Sequence, residues 1–145
     1  MSESIHLVFN VDGNNFASAG TASEEVKSKL KMIGISSADI RRVAIAMYEG
    51  EINMVIHAGG GEAIVDIFLD RIEILLADHG KGIEDIEQAM QPGWSTAPDD
   101  IRALGFGAGM GLPNMKKYTD EFRIDSTVGV GTNVYMTIKF NWERE

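Results

Sequence analysis

Residues 5–11 (IHLVFNV) are apolar and β-branched enough to predict an opening strand, and the VDGNN that overlaps its end supplies turn residues. From residue 17 to 32 the apolar positions Ala22, Val26 and Leu30, continued by Ile33, recur at helical spacing among lysines and glutamates, and Gly34 follows as a stop. A second amphipathic helix can be capped by Ser36 or Ser37. Its apolar face runs through Ile40, Val43, Ala44, Met47, Ile52 and Val55 and ends near His57, before the glycines at 59–61. Residues 62–69 and 71–77 alternate or run apolar on either side of Asp70, which predicts a hairpin. Residues 83–90 (IEDIEQAM) are a short helix candidate. Residues 91–111, rich in Gly, Pro, Ser and Asp, are expected to form an irregular stretch of a length that is usually functional or disordered. Pro113 fits the first turn of a helix through about Thr119, and residues 122–126 and 132–140 close the pattern as strands around VGVG. The order β, α, α, β, β, loop, α, β, β predicts an α/β two-layer sandwich, with helices on one face of a mixed, mostly antiparallel sheet.

Composition narrows the class without changing that outline. A chain of 145 residues suits one domain over 1–145, and 44% apolar with 24% charged residues is ordinary for a globular protein. No apolar run reaches the length of a membrane span, the N-terminus lacks a basic segment followed by an apolar core, and the absence of cysteine excludes disulfides; a cytoplasmic protein is expected. The formal charge of -9 argues against general affinity for nucleic acid or anionic membranes.

Four segments carry candidate chemistry. In LGFGAGMGLPNMKKYTD, Gly105, Gly107, Gly109 and Gly111 occupy every second position before a helix, where backbone amides can converge on a phosphate; a flexible loop is the plain alternative. Neither the P-loop pattern nor the dinucleotide fingerprint occurs. In ADHGKGI, Asp78 at a strand end can accept a hydrogen bond from an exocyclic amine such as that of adenine. Gly80 and Gly82 then let the chain turn closely around a ring, although an Asp-initiated turn explains the same residues. In YEGEINMVIHA, Glu49, Asn53 and His57 follow one another at intervals of four and share one helical stripe. Asn53 can give Mg²⁺ an amide oxygen, Glu49 can accept a proton from an attacking hydroxyl or orient a water, and His57 can serve the site or simply cap and pack. Gly50, inside the helix, costs about 1 kcal/mol relative to alanine and is expected to loosen the helix beside Glu49. In VGVGTNVYMTI, a hairpin turn accounts for Gly129 and Gly131 ahead of Thr132.

Taken together, E-x-x-x-N, D-x-G-x-G, G-x-G-x-G and G-T, in this order, resemble the four nucleotide-binding boxes of the GHKL ATPase superfamily: gyrase, Hsp90, histidine kinases and MutL. Within it, the chain over nearly its whole length is similar to the small stand-alone serine kinases of bacterial partner-switching systems, the anti-sigma factor kinases and stressosome switch kinases, and the segment from Asp78 to Thr132 particularly resembles the switch-kinase branch. The resemblance implies the Bergerat fold. It implies ATP bound with Asp78 at adenine N6, Gly82 admitting the base, Thr132 supporting the adenine side through its hydroxyl or a water, and Asn53 holding Mg²⁺. Residues 93–111 become an ATP lid whose Gly105, Gly107, Gly109 and Gly111 meet the phosphates. Arg102 and Lys116 are close enough in sequence to neutralise phosphate charge, or are solvated. Glu49 becomes the catalytic base. The implied activity is that of an ATP-dependent protein serine/threonine kinase phosphorylating a STAS-type antagonist, with a sigma factor or downstream regulator as a further partner and a homodimer as an option. The alternatives are an ATP-dependent anti-sigma factor or adaptor that sequesters its partner without phosphorylating it, and a hydrolase that passes the phosphoryl group to water. The transducer domains of gyrase, MutL and Hsp90 and the phosphoacceptor hairpin of histidine kinases are not expected within these 145 residues.

Overall fold

The computed structural model describes residues 4–14, 19–91 and 111–141. Strand β1 (Ile5–Asp12) leads to helices α1 (Thr21–Met32) and α2 (Ser37–Ala58), then to the hairpin of β2 (Gly60–Ile67) and β3 (Arg71–Asp78). A short helix α3 (Ile86–Ala89), a helix α4 (Gly111–Lys117) and the hairpin of β4 (Glu121–Thr127) and β5 (Gly131–Lys139) complete the described elements. The strands form one sheet in the order β1-β2-β3-β5-β4, and every pairing is antiparallel. The expected mostly antiparallel sheet therefore has no parallel pair among its described strands. Its second hairpin is inserted with β5 inside and β4 at the edge.

Alternation along the strands turns one sheet face towards the helices. Ala63, Val65 and Ile67 of β2, Ile72, Ile74 and Leu76 of β3, and Val134, Met136 and Ile138 of β5 are buried there against Val26, Leu30, Val43 and Met47 of α1 and α2. Gly60 and Gly61, which lie ahead of the strand expected from residue 62, begin β2 and pair with Asp12 and with Asp78 respectively. A side chain on Gly61 would collide with the Ala77 carbonyl, so the strand can pass this close only without one. Ile33, expected on the apolar stripe of α1, is the exposed residue at that helix's C-terminus. Among the described residues, no helix is long and apolar enough to cross a membrane.

Helix α2 organises the layer above the sheet. Ser36 caps it by accepting the Asp39 amide at 3.3 Å, and Gly59 ends it in the left-handed region at φ 72°. Near its start, Asp39 is buried and accepts the Asn141 amide at 2.9 Å, while Arg42 bridges Asp39 and Asp120 at 3.3 and 2.8 Å. Gly50 has a packing reason in this helix. It sits where α2 meets the sheet and α4: an added Cβ would overlap the Leu76 side chain and lie 3.4 Å from Met115 Sδ. Gly50→Ala should gain helix propensity of about 1 kcal/mol yet lose more by overpacking, which typically costs about 1–3 kcal/mol. Urea unfolding is expected to show a lower midpoint for the variant; a raised midpoint would mean that Leu76 turns aside freely.

Candidate nucleotide site

The helix-facing side of the sheet ends at Asp78, the last residue of β3, with Thr132 of β5 beside it and Ser126 of β4 paired to Thr132. These are the polar successors of Leu76, Val134 and Ile124 at period two, so the pattern that builds the core also delivers three oxygen-bearing side chains to one end of it. Asp78 Oδ1 accepts the amides of Gly80 at 2.9 Å and Thr132 at 3.1 Å. Its Oδ2 takes no hydrogen bond among the described residues and remains an acceptor. The turn that follows is locked to the second hairpin: the Gly129 amide donates to Lys81 O at 2.8 Å and the Ile83 amide to Ser126 Oγ at 2.8 Å.

This packing explains the glycines of the turn. Gly82 has φ 79°, and a Cβ there would stand 2.5 Å from the Thr127 carbonyl oxygen. Both facts demand glycine, and the close approach comes from the hairpin. A side chain at Gly80 would meet Ala58 at 2.7 Å, so the same turn also lies against the C-terminal end of α2.

On α2, Glu49, Asn53 and His57 are all half-buried. The first two meet the opening turn of α4. Asn114 Nδ2 donates to Glu49 Oε1 at 3.4 Å, and a Cβ on Gly111 would stand 2.9 Å from Asn53 Nδ2 and 3.0 Å from its Oδ1. Gly111 thus makes room for the Asn53 amide. His57, at the end of the stripe, lies near the Asp78 turn. Burial pushes its imidazole below the usual histidine range and the positive charge of Lys81 adds to this, while Asp78 opposes both, so the ring is neutral at pH 7. Lys116 is exposed in the last turn of α4. Gly105, Gly107, Gly109 and Arg102 lie outside the described residues.

Two features had gone unread. Glu51 is 1% exposed on the opposite side of α2 from the stripe and accepts the Gly20 amide at 2.6 Å through Oε2 and the Ser23 amide at 2.7 Å through Oε1. Gly20 is the N-cap of α1 and has no side chain to cap with, so a carboxylate from α2 performs both halves of a capping box from 31 and 28 residues away. Burial raises the Glu51 carboxyl above its ordinary range, against the lowering effect of these amides. Ser126 is the second: it ties β4 to the Asp78 turn, and its only sequence signal is its place on the core-facing side of a strand end.

The residues fit an adenine nucleotide. A free carboxylate oxygen suits an exocyclic amine, and the Gly111–Asn53 cradle brings an amide oxygen to the start of α4. Among the described residues, no three His, Cys, Asp or Glu side chains are arranged to hold a metal. A Mg²⁺ at this site would therefore draw on Asn53 and on oxygens brought by the nucleotide and water, the usual arrangement for this ion.

Residues 14–138 match the histidine kinase-like ATPase domain. The chain is 33% identical to serine/threonine-protein kinase RsbT of Bacillus subtilis over 72% of its own length and 75% of that protein's. It is 40% identical to the anti-sigma F factor of Caldanaerobacter subterraneus subsp. tengcongensis, over 68% of its own length and 69% of that protein's. Among solved structures, the RsbU and RsbW domains of a Mycobacterium tuberculosis protein match with a TM-score of 0.65 and 18% identity, a likeness of fold. That match covers 94% of this chain but spans only about a third, 32%, of the solved one. The chain belongs to the histidine kinase-like ATPase domain family, the GHKL fold that its four boxes resemble. Within that ATP-binding family, its relatives are the partner-switching kinases and anti-sigma factors.

Proposed function

We propose that this protein is an ATP-dependent serine/threonine kinase of a partner-switching system and that it phosphorylates a STAS-type antagonist protein in the cytoplasm, the chain acting as one ATP-binding kinase domain over 1–145. The observation that carries the reading is the junction of α2 with α4, where the candidate base Glu49 and the candidate metal-binding Asn53 meet the same helical turn through Asn114 and Gly111. Phosphoryl transfer asks little covalent chemistry of a protein; it asks for alignment and charge neutralisation. ATP would supply the phosphoryl group, and Mg²⁺ would neutralise its charge. Asp78 and Thr132 would hold the adenine, with Gly80 and Gly82 shaping the turn beside it. Asn53 would fix the metal, Gly105, Gly107, Gly109 and Gly111 would face the phosphates, and Glu49 would take the proton from the partner's hydroxyl. The anti-sigma F factors among the relatives support a second reading, in which the same pocket gates the sequestration of a sigma factor or another regulator.

The test is incubation with γ-labelled ATP, Mg²⁺ and candidate STAS domains. Label on a Ser or Thr of the partner is the expected result. Asp78→Asn should abolish both the rise in melting temperature that ATP gives the parent and the transfer. A stable ATP-dependent complex with no labelled Ser or Thr overturns the kinase reading and leaves sequestration. Steady phosphate release without any partner marks a hydrolase.

A further inference from the structure

We infer that Ser126 sets the base selectivity of the site by fixing the direction of the Thr132 hydroxyl, so that Asp78 and Thr132 present only acceptors to the 6-substituent of the purine and the site takes a 6-amino base over a 6-oxo base. The inference rests on the nucleotide reading above and adds to it a residue outside the four boxes. Its basis is a proton count. Ser126 Oγ makes three contacts: the Ile83 amide at 2.8 Å, the Gly131 carbonyl oxygen at 3.2 Å and Thr132 Oγ1 at 2.8 Å. A serine hydroxyl has one proton and two acceptor sites.

The Ile83 amide can only donate and the Gly131 carbonyl can only accept, so Ser126 receives the first and donates its proton to the second. One acceptor site is left, and Thr132 must fill it with its own proton. This is the one assignment that satisfies all three contacts. Thr132 Oγ1 then keeps lone pairs and has no proton to offer elsewhere. Next to it, the Thr132 amide is consumed by Asp78 Oδ1, which also takes the Gly80 amide, leaving Oδ2 as an acceptor.

Two acceptors, Asp78 Oδ2 and Thr132 Oγ1, therefore stand side by side at the end of β3 and β5, with the Thr132 amide and hydroxyl protons both spent. The amino group of adenine supplies protons to such an edge. The carbonyl oxygen of hypoxanthine or guanine brings lone pairs to lone pairs, and leaving polar groups unpaired in this way is how a hydrogen-bonding site rejects an analogue. Without Ser126, the Thr132 proton is released and the hydroxyl can rotate to donate to a 6-oxo group.

The experiment is calorimetric titration of ATP and of inosine triphosphate, each with Mg²⁺, into the parent, Ser126→Ala, Ser126→Thr and Thr132→Val. The parent should prefer ATP, and Ser126→Ala should shrink the ATP-to-inosine triphosphate affinity ratio about tenfold, the equivalent of one hydrogen bond gained or lost. Ser126→Thr, which keeps the hydroxyl, should retain the parent ratio. Equal weakening of both nucleotides in Ser126→Ala, with the ratio unchanged, overturns the inference and leaves Ser126 as a fastener of the turn. If Ser126→Ala does not fold, Thr132→Val decides: it leaves Ser126 in place, and an unchanged ratio there overturns the inference too. Absence of ATP binding by the parent would instead bring down the nucleotide reading itself.

Discussion

Glu49→Ala is expected to lower phosphoryl transfer to the partner about 10²- to 10⁴-fold, the usual loss when a general base is removed. ATP should still raise the melting temperature of the variant almost as it does that of the parent. The two readouts separate because Glu49 and Asp78 sit on different elements: the carboxylate of Asp78 is fixed by the turn after β3, and that of Glu49 by Asn114 on α4. Asn53→Ala should behave differently, losing Mg²⁺-dependent nucleotide binding and transfer together. Transfer by Glu49→Ala within a few fold of the parent would remove Glu49 from the chemistry. Loss of ATP binding in step with transfer would make it a binding group.

The largest effect on stability is expected at Glu51. Glu51→Ala strips the start of α1 of both acceptors, leaves the Gly20 and Ser23 amides facing a cavity, and should cost about 2–4 kcal/mol, a large part of the 5–15 kcal/mol typical of a domain. Glu51→Gln keeps the volume but turns a donor towards one of the two amides. Its use is in the pH profile. The folded carboxyl titrates above its ordinary value of 4.5, so the native state binds this proton more tightly than the unfolded chain does. The stability linked to that proton is present below pH 4.5 and lost as pH rises through the folded value. The stability of the parent relative to Glu51→Gln, followed by urea unfolding across this window, should therefore fall as pH increases. A flat difference would mean that the two amides cancel the effect of burial.

The contrast between Glu49 and Glu51 shows what the sequence could disclose. Glu49 and Asn53 share a stripe by helical geometry alone, and both meet α4 as one face should. Glu51 is two residues on and faces elsewhere, and its partners are far away in the chain, so no local pattern announces it. Gly50 was legible only as a propensity cost: helix propensity weighs the isolated helix, whereas the close approach of Leu76 and Met115 in the fold comes from tertiary packing. The two final strands were legible, but not that β5 would be the inner one. Burial makes the difference visible afterwards, since β4 alternates between exposed and half-buried positions while β5 buries five of its nine residues. Asp78 and Thr132 stood out through the boxes they belong to. Ser126 did not, because its meaning comes from three contacts that only tertiary pairing assembles.

The register of the sheet also governs how this protein can be handled. Ile5 pairs with Ile67 and Lys139 with Arg71, so β1 begins and β5 ends beside the turn between β2 and β3. Asp78 and Gly131 are at the other end of their strands. A linker leaving from residue 4 or from residue 141 therefore starts a full strand length away from the proposed nucleotide site. Anchored to a sensor surface through either side, the molecule should turn the end that carries the proposed nucleotide site towards the solution, and a fluorescent protein fused on either side should leave that end open.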